Sequence, residues 1–326
     1  MSRQPYMSAV NERVIVFDGA FGTFVQGLDL GADDFGGASL EGCNEMLCLT
    51  RPDVIRQMHA AFLDVGVDVL ETASFGSFST VLAEYQIPEK AYELNVAAAR
   101  LARETANEYE ADGRARYVAG SIGPGTKLPS LGHIRFAELR DAYIEQARGL
   151  LVGGADLFLI ETCMDLLQIK AAMIACRRAM AAEGREVPIQ VQVTMETTGR
   201  MLVGSEIGAA LTAIGSMRPD VFGLNCATGP SEMQEHLRYL SQHAPMPISV
   251  LPNAGLPSVV DGRTHYDLTA EALADFHRHH VLDLGIGIVG GCCGTTPAHL
   301  KAVVDAVSGL SVPVRHPEIE PSVSSI

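Results

Sequence analysis

The densest chemistry in the chain lies in Gly290-Gly291-Cys292-Cys293-Gly294-Thr295-Thr296-Pro297. Two adjacent cysteines follow the apolar run 286–289, which reads as a short buried strand. Behind them, Thr296 suits an N-cap and Pro297 the first helical position, so both thiols belong to a strand-to-helix turn. Gly290, Gly291 and Gly294 let the backbone bend there without Cβ clashes. A third cysteine, Cys226 in Gly223-Leu224-Asn225-Cys226-Ala227, ends an earlier strand in the same way. Three thiolates at strand ends can hold one Zn²⁺ and leave a fourth position open, the pattern of a catalytic site. The same residues also read as buried small hydrophobes, the usual fate of free cysteine.

Positioning them is the task of a regular alternation. Strands are expected at 14–18, 67–71, 117–122, 156–160, 189–193, 221–224, 248–251 and 286–289. Helices are expected from Pro52, over 89–109, 136–151 and 166–182, from a Ser205 cap to 214, over 230–240, from a Thr269 cap to 277, and over 297–307. Residues 29–44 look too irregular for an element. Eight strands, each followed by a helix, imply a parallel sheet and fit an α/β (β/α)₈ TIM barrel with long βα loops. A doubly wound open sheet is the alternative, since pattern alone does not show closure. The barrel is expected over 1–310. Residues 311–326 carry Pro313, Pro317 and Pro321 and read as a linker or tail.

In a barrel of this type the active site sits at the C-terminal ends of the strands. Polar residues gather there: Asp18, Glu71 and Thr72 with Ser74 just beyond, Glu161, Asn225, Cys226, Asn253, Cys292 and Cys293. Alternate strands share a layer of inward side chains, so Glu161, Cys226 and the Cys292–Cys293 pair can converge. Asp18 and Asn225 could equally serve backbone in their turns. Glu161 ends an apolar strand and needs a partner, either a substrate ammonium or a structural arginine. Cys43, Cys48, Cys163 and Cys176 read as packing residues. His277-Arg278-His279-His280 reads as a solvated cluster at a helix end, favoured by the helix dipole.

Bulk properties exclude several classes. An apolar fraction of 47% supports a sizeable core, while a net charge of −15 argues against a nucleic-acid surface. No apolar run approaches a membrane span, and the first residues lack a signal-peptide core. Seven cysteines, two of them adjacent, do not suggest a disulfide framework, so a reducing cytoplasm is expected. A thiol entering a cysteine-only zinc site loses its proton to the metal, whereas water-activating sites more often use histidine and carboxylate ligands. The residues therefore favour activation of a thiol substrate for attack on an alkyl electrophile.

Asp18-Gly19-Ala20-Phe21-Gly22-Thr23, Glu71-Thr72, Ile160-Glu161-Thr162, Gly223-Leu224-Asn225-Cys226, Pro252-Asn253-Ala254-Gly255 and Gly290-Gly291-Cys292-Cys293-Gly294 together resemble the homocysteine S-methyltransferase family, over about residues 10–310. The resemblance implies zinc on Cys226, Cys292 and Cys293 with the homocysteine sulfur as fourth ligand. It implies that Asp18 and Glu161 hold the amino group and that backbone N–H groups of Gly19 and Ala20 hold the carboxylate. Glu71, Thr72, Ser74 and Asn225 complete the candidate substrate contacts, and Asn253 would supply an oxygen ligand when substrate is absent. Leu40-Glu41-Gly42-Cys43-Asn44-Glu45-Met46-Leu47 and Thr50-Arg51-Pro52-Asp53-Val54-Ile55 look like the N-terminal homocysteine-binding module of the cobalamin-dependent methionine synthases. The tail from Glu318 is similar to the linker toward their folate-binding module. That implies methylcobalamin on another module as methyl donor, 5-methyltetrahydrofolate as its ultimate source, and cobalamin- and folate-binding modules as partners. The absence of tryptophan counts against a betaine donor. A stand-alone enzyme using S-methylmethionine and a non-catalytic zinc- or thiol-binding protein remain the alternatives.

Overall fold

Eight short parallel strands surround a common axis in the computed structural model, which describes residues 3–260, 263–319 and 321–324. They are β1 (Ile15–Val16), β2 (Val69–Glu71), β3 (Tyr117–Ile122), β4 (Leu157–Cys163), β5 (Ile189–Val193), β6 (Val221–Asn225), β7 (Ile248–Leu251) and, after a small antiparallel hairpin β8–β9 (Ser258–Val260, Arg263–His265), β10 (Ile288–Val289). The sheet order is β1-β10-β7-β6-β5-β4-β3-β2. The two ends meet through a parallel bridge between Phe17 and Val69, with Asp18 N donating to Val69 O at 3.0 Å and Asp68 N to Val16 O at 2.7 Å. These bonds close the ring, so the barrel expectation holds and the open sheet does not.

Branched apolar residues fill both faces of the strands, as expected of a parallel sheet covered by helices. Side chains alternate with period two. Val69, Tyr117, Ala119, Leu157, Leu159, Val221, Leu251 and Ile288 pack together inside the ring. Leu70, Val118, Phe158, Ile160, Phe222, Leu224 and Val289 face the helices. Continuing the inward parity brings Glu71, Ser121, Glu161 and Asn225 to the same face at the strand ends. The first helix, Tyr6–Glu12, plugs the opposite end, where Tyr6 Oη donates to Gln190 Oε1 at 2.8 Å and its ring meets Tyr117 edge-on.

The helices Pro52–Asp64, Ala91–Glu108, Phe136–Gly153, Leu166–Glu183, Ile207–Gly215, Pro230–His243 and Pro297–Val307 lie within a few residues of expectation. Four expectations are corrected. Residues 29–44 do contain structure, a short helix Ala32–Phe35 and a 3₁₀ turn Ala38–Leu40. Ser205 does not cap the next helix, whose N-cap is Glu206 without a side-chain bond. The Thr269-capped helix continues to Leu284, where Gly285 in the left-handed region ends it. His277 and His280 therefore sit inside that helix and are fully buried, not solvated at its end. Apolar Val281 and Leu284 extend the buried stripe past the histidines, which periodicity alone had taken for the polar limit. Among the described residues, no helix is long and apolar enough to cross a membrane.

Candidate active site

The three cysteines named from the sequence meet. The Sγ atoms of Cys226, Cys292 and Cys293 all lie within 4.8 Å of one another, with Cys226 and Cys293 at 3.8 Å. Tetrahedral Zn–S bonds of about 2.3 Å place sulfurs about 3.8 Å apart, the separation of the Cys226–Cys293 pair. Backbone bonds between three strand ends hold them. Cys226 N donates to Leu251 O at 3.2 Å, Cys292 N to Pro252 O at 2.8 Å, and Ala254 N to Cys293 O at 2.9 Å. Gly294 N donates to Thr23 Oγ1 at 2.9 Å, tying in the helix after β1.

The backbone is strained where it presents these groups. Of five non-glycine residues with positive φ among those described, three are here: Thr162 at 55°, Cys226 at 59° and Ala227 at 59°. Each such conformation costs about 1–3 kcal/mol and persists only where the surroundings impose it. Gly294 has φ of 80°, and a Cβ there would fall 2.3 Å from the Tyr266 ring. The three thiols share hydrogen bonds that set their protonation against one another. Hydrogen bonds from Cys226 and then Cys292 pull Cys293 well below the ordinary thiol range. Bonds to Cys226 and Cys293 in turn push Cys292 well above the ordinary thiol range.

Beside the sulfurs lies a cavity of about 230 Å³. Its walls include Glu71, Thr72, Ser121, Glu161, Thr162, Asn44, Glu45, Ala20, Phe21, Gly22 and Phe75, and no lysine or arginine is among them. Glu161 accepts from Ser121 Oγ at 2.5 Å and from Asn225 Nδ2 at 2.9 Å, and no arginine among the described residues pairs with it. Burial, and then the negative charge of Cys293 against these hydrogen bonds, raises its carboxyl to about 7. Asp18 accepts from Glu71 N with both oxygens, at 3.2 and 3.0 Å. Burial raises Asp18 well above its ordinary range, and Glu161 adds to the effect. Burial followed by Glu161 and Asp18 does the same to Glu71, whose Oε1 has no hydrogen-bond partner. Three crowded carboxylates, Asp18 and Glu161 buried and Glu71 half-buried, with no lysine or arginine in the cavity wall, form a strong demand for a cation.

Several candidates take roles other than the expected contact. Asn225 is committed to the protein, with Oδ1 accepting from Thr162 N at 2.7 Å and Nδ2 donating to Glu161 and Thr162. It orients Glu161. Ser74 is fully buried behind the wall, donating to Ser121 O at 2.8 Å and bonded to Thr72 Oγ1 at 2.6 Å. Gly19 lies under Thr295, whose Oγ1 is 2.6 Å from any added Cβ, while Ala20 reaches the cavity. Helix Phe21–Gln26 opens there, and the first N–H groups of a helix lack intrahelical partners. Asn253 is buried, and its Oδ1 is bonded to nothing. Its backbone neighbour Ala254 is bonded to Cys293, but Asn253 itself is not among the residues that line the cavity. Cys163 donates its thiol to Glu161 O and stands outside the trio, while Cys43, Cys48 and Cys176 are buried in packing.

Several cavity or rim residues were not among the expected site residues, Phe21, Gly22, Phe75 and Thr162 in the wall and four polar groups besides. Ser121 had a legible signal, since it is the polar inward position at the end of an apolar strand. Asn44 and Glu45 come from a 3₁₀ turn in a region without periodicity, and Glu45 Oε1 accepts from Gly76 N at 2.7 Å. Tyr266 follows the β8–β9 hairpin, and burial followed by the charge of Cys293 keeps its hydroxyl protonated.

Comparison with known proteins agrees with this geometry. A family model described as homocysteine S-methyltransferase matches residues 15–307. The chain is 51% identical over 320 residues to a methionine synthase of Mycobacterium tuberculosis and 50% identical over 325 residues to one of Mycobacterium leprae. Each match covers 98% of this chain but only 27% of the relative, so the chain spans about a quarter of their length. Among solved structures, the homocysteine methyltransferase MmuM from Escherichia coli in its metallated form superposes with a TM-score of 0.73 at 22% identity, covering 92% of this chain and 99% of that one. Its apo form gives 0.69 at 20% identity, covering 93% and 98%. At such identities the likeness shows the shared fold.

Proposed function

The chain belongs to the homocysteine S-methyltransferase family, and from that premise we propose that it is the methyl-accepting module of a methionine synthase. Its acceptor is homocysteine and its product methionine. Methylcobalamin on another module is the immediate donor and 5-methyltetrahydrofolate the ultimate one. The identity of about half to methionine synthases, against about a fifth to MmuM, favours this donor over a stand-alone reaction. Residues 1–310 form the module, residues 311–326 lead toward a folate-binding module, and the reaction takes place in the cytoplasm.

The observation that carries the proposal is the convergence of Cys226, Cys292 and Cys293 beside a cation-poor acidic cavity. The donor set fits zinc: three thiols at metal-sharing distance, with a buried Asn253 Oδ1 that has no hydrogen-bond partner among the described residues. Cys226, Cys292 and Cys293 would hold the ion, and Asn253 is the candidate oxygen ligand. Zinc bound there supplies Lewis acidity that keeps an entering thiol deprotonated at neutral pH. The chain's own residues do the rest. Glu161 and Asp18 bind the substrate ammonium, Asn225 and Ser121 fix the Glu161 carboxylate, and N–H groups from Ala20 onward face the substrate carboxylate. Glu71 and Thr72 line the same wall, with Phe21 and Phe75 as its apolar part.

The reduced protein is expected to bind one zinc and to form methionine from homocysteine and methylcobalamin. Cys226→Ser and Cys292→Ser should each lose the metal and at least 100-fold in rate, on the order of the loss of a metal ligand's function. Elemental analysis and a methionine assay decide it. Full turnover without metal in either variant would sink the proposal.

A further inference from the structure

The buried histidines on the helix Ala270–Leu284 do not touch the substrate cavity, yet one of them reaches the cysteine turn. His277 Nε2 lies 2.7 Å from Gly290 O, the carbonyl two residues before Cys292. His277 Nδ1 lies 3.4 Å from His280 Nδ1. His280 Nε2 lies 3.1 Å from Gln234 Nε2, which belongs to the neighbouring helix Pro230–His243 and lines a shallow surface cleft. Both rings are fully buried, and they stand edge to face at 5.4 Å.

Chemistry fixes the direction of every bond in this chain. A carbonyl oxygen only accepts, so His277 Nε2 carries a hydrogen. Burial pushes His277 down to about 4 and His280 well below its ordinary range, so both rings are neutral and each has one N–H. His277 Nδ1 is then a bare acceptor, and the hydrogen between the two Nδ1 atoms belongs to His280. His280 Nε2 is bare in turn and accepts from the Gln234 amide. The run Gln234 → His280 → His277 → Gly290 is thus complete, with opposite tautomers in the two rings.

The peptide at its end is pinned on both sides. Gly290 O takes the His277 bond, and Gly291 N donates to Asp18 O at 3.3 Å. That peptide joins the cysteine turn to the strand end bearing Asp18. A neutral imidazole holds it without placing a cation beside the thiolates, which a lysine or arginine donor would do.

We propose that His277 and His280 are positioning residues for the methyl-accepting centre: a directed chain of neutral hydrogen bonds from Gln234 sets the Gly290–Gly291 peptide and through it the Cys292 and Cys293 sulfurs. This rests on the reading of those cysteines as zinc ligands. Supporting groups around a metal site typically govern its affinity by 10–100-fold.

Two measurements on the full chain test it. Long-range ¹H–¹⁵N NMR of the imidazoles at pH 7.5 should find the proton on Nε2 of His277 and on Nδ1 of His280. The other tautomer in either ring, or a charged ring, overturns the proposal, and this arm needs neither a variant nor a metal. Competition with a chromogenic chelator should show zinc held about 10-fold or more less tightly by His277→Phe. His277→Gln, whose amide can still donate to Gly290, should recover most of the loss even if its melting temperature stays low. Unchanged zinc affinity in folded His277→Phe, or loss that follows melting temperature in both variants, overturns it. Wild-type protein that holds no zinc would instead refute the reading of the cysteines and leave the tautomer result to judge the hydrogen-bond chain.

Discussion

At the scale of single residues, the site combines groups that are costly to bury and useful when a cation arrives. Glu161 shows this best. Burial raises its folded carboxyl to about 7 from an ordinary 4.5. The folded state therefore holds a proton that the unfolded chain has already lost between those values. The associated stability is present below 4.5 and falls away as pH rises through 7. Above that range the ionised Glu161 destabilises the metal-free protein. Glu161→Gln removes the charge but keeps an acceptor for Asn225, and Ser121 can reverse its bond. We expect the variant, reduced and metal-free, to melt higher than wild type at pH 8 and to lose that advantage at pH 5. With zinc supplied, it should retain the metal while its KM for homocysteine rises at least 10-fold, in line with one lost charged hydrogen bond. Loss of zinc in the variant would show that Glu161 serves the metal and not the ammonium.

At the scale of elements, the strand ends do the positioning and glycine makes that possible. The turn after β10 must pass under Tyr266 and re-enter the helix Pro297–Val307 within a few residues. Gly294 meets both demands, with a left-handed backbone and no Cβ against the ring. Gly294→Ala should lower stability by at least about 1 kcal/mol from the backbone conformation alone, with the ring contact adding to it. Chemical denaturation of Gly294→Ala, Tyr266→Ala and the double variant separates the two contributions. If the double variant is as stable as Tyr266→Ala, the backbone conformation carries no penalty and the account of this turn is wrong.

At the scale of the whole molecule, the tail is less detached than its prolines suggest. No regular element follows Val307 among the described residues, as the sequence implies. Yet the Arg315 guanidinium donates to the carbonyls of Ala244 at 2.8 Å, Ser241 at 3.3 Å and Leu240 at 3.5 Å. Glu318 N adds a bond to Gln242 O at 2.7 Å. The tail thus caps the C-terminal end of the helix Pro230–His243, where carbonyls otherwise lack partners. Arg315→Ala should cost about 1–2 kcal/mol and lower the melting temperature by a few degrees, leaving zinc content unchanged. An unchanged melting curve would mean that the segment is a free tether.

Local chemistry was readable in one dimension. The cysteine turn, the β3 and β5 limits and the Pro297 helix follow from residue type and spacing, because strand parity, N-caps and glycine turns act over a few residues. Their place at strand ends also put Glu71, Glu161 and Asn225 on the active face of the barrel. Tertiary structure alone decided what depends on closure. It brought Cys226 beside Cys293, gave Asn225 to Glu161 as a support, and placed Glu45 in the cavity wall from a stretch with no period. It also turned His277 and His280 from an expected polar end into a buried link to Gly290. Such contacts join segments far apart in the chain, and their energies arise from burial and from partners that no local pattern contains.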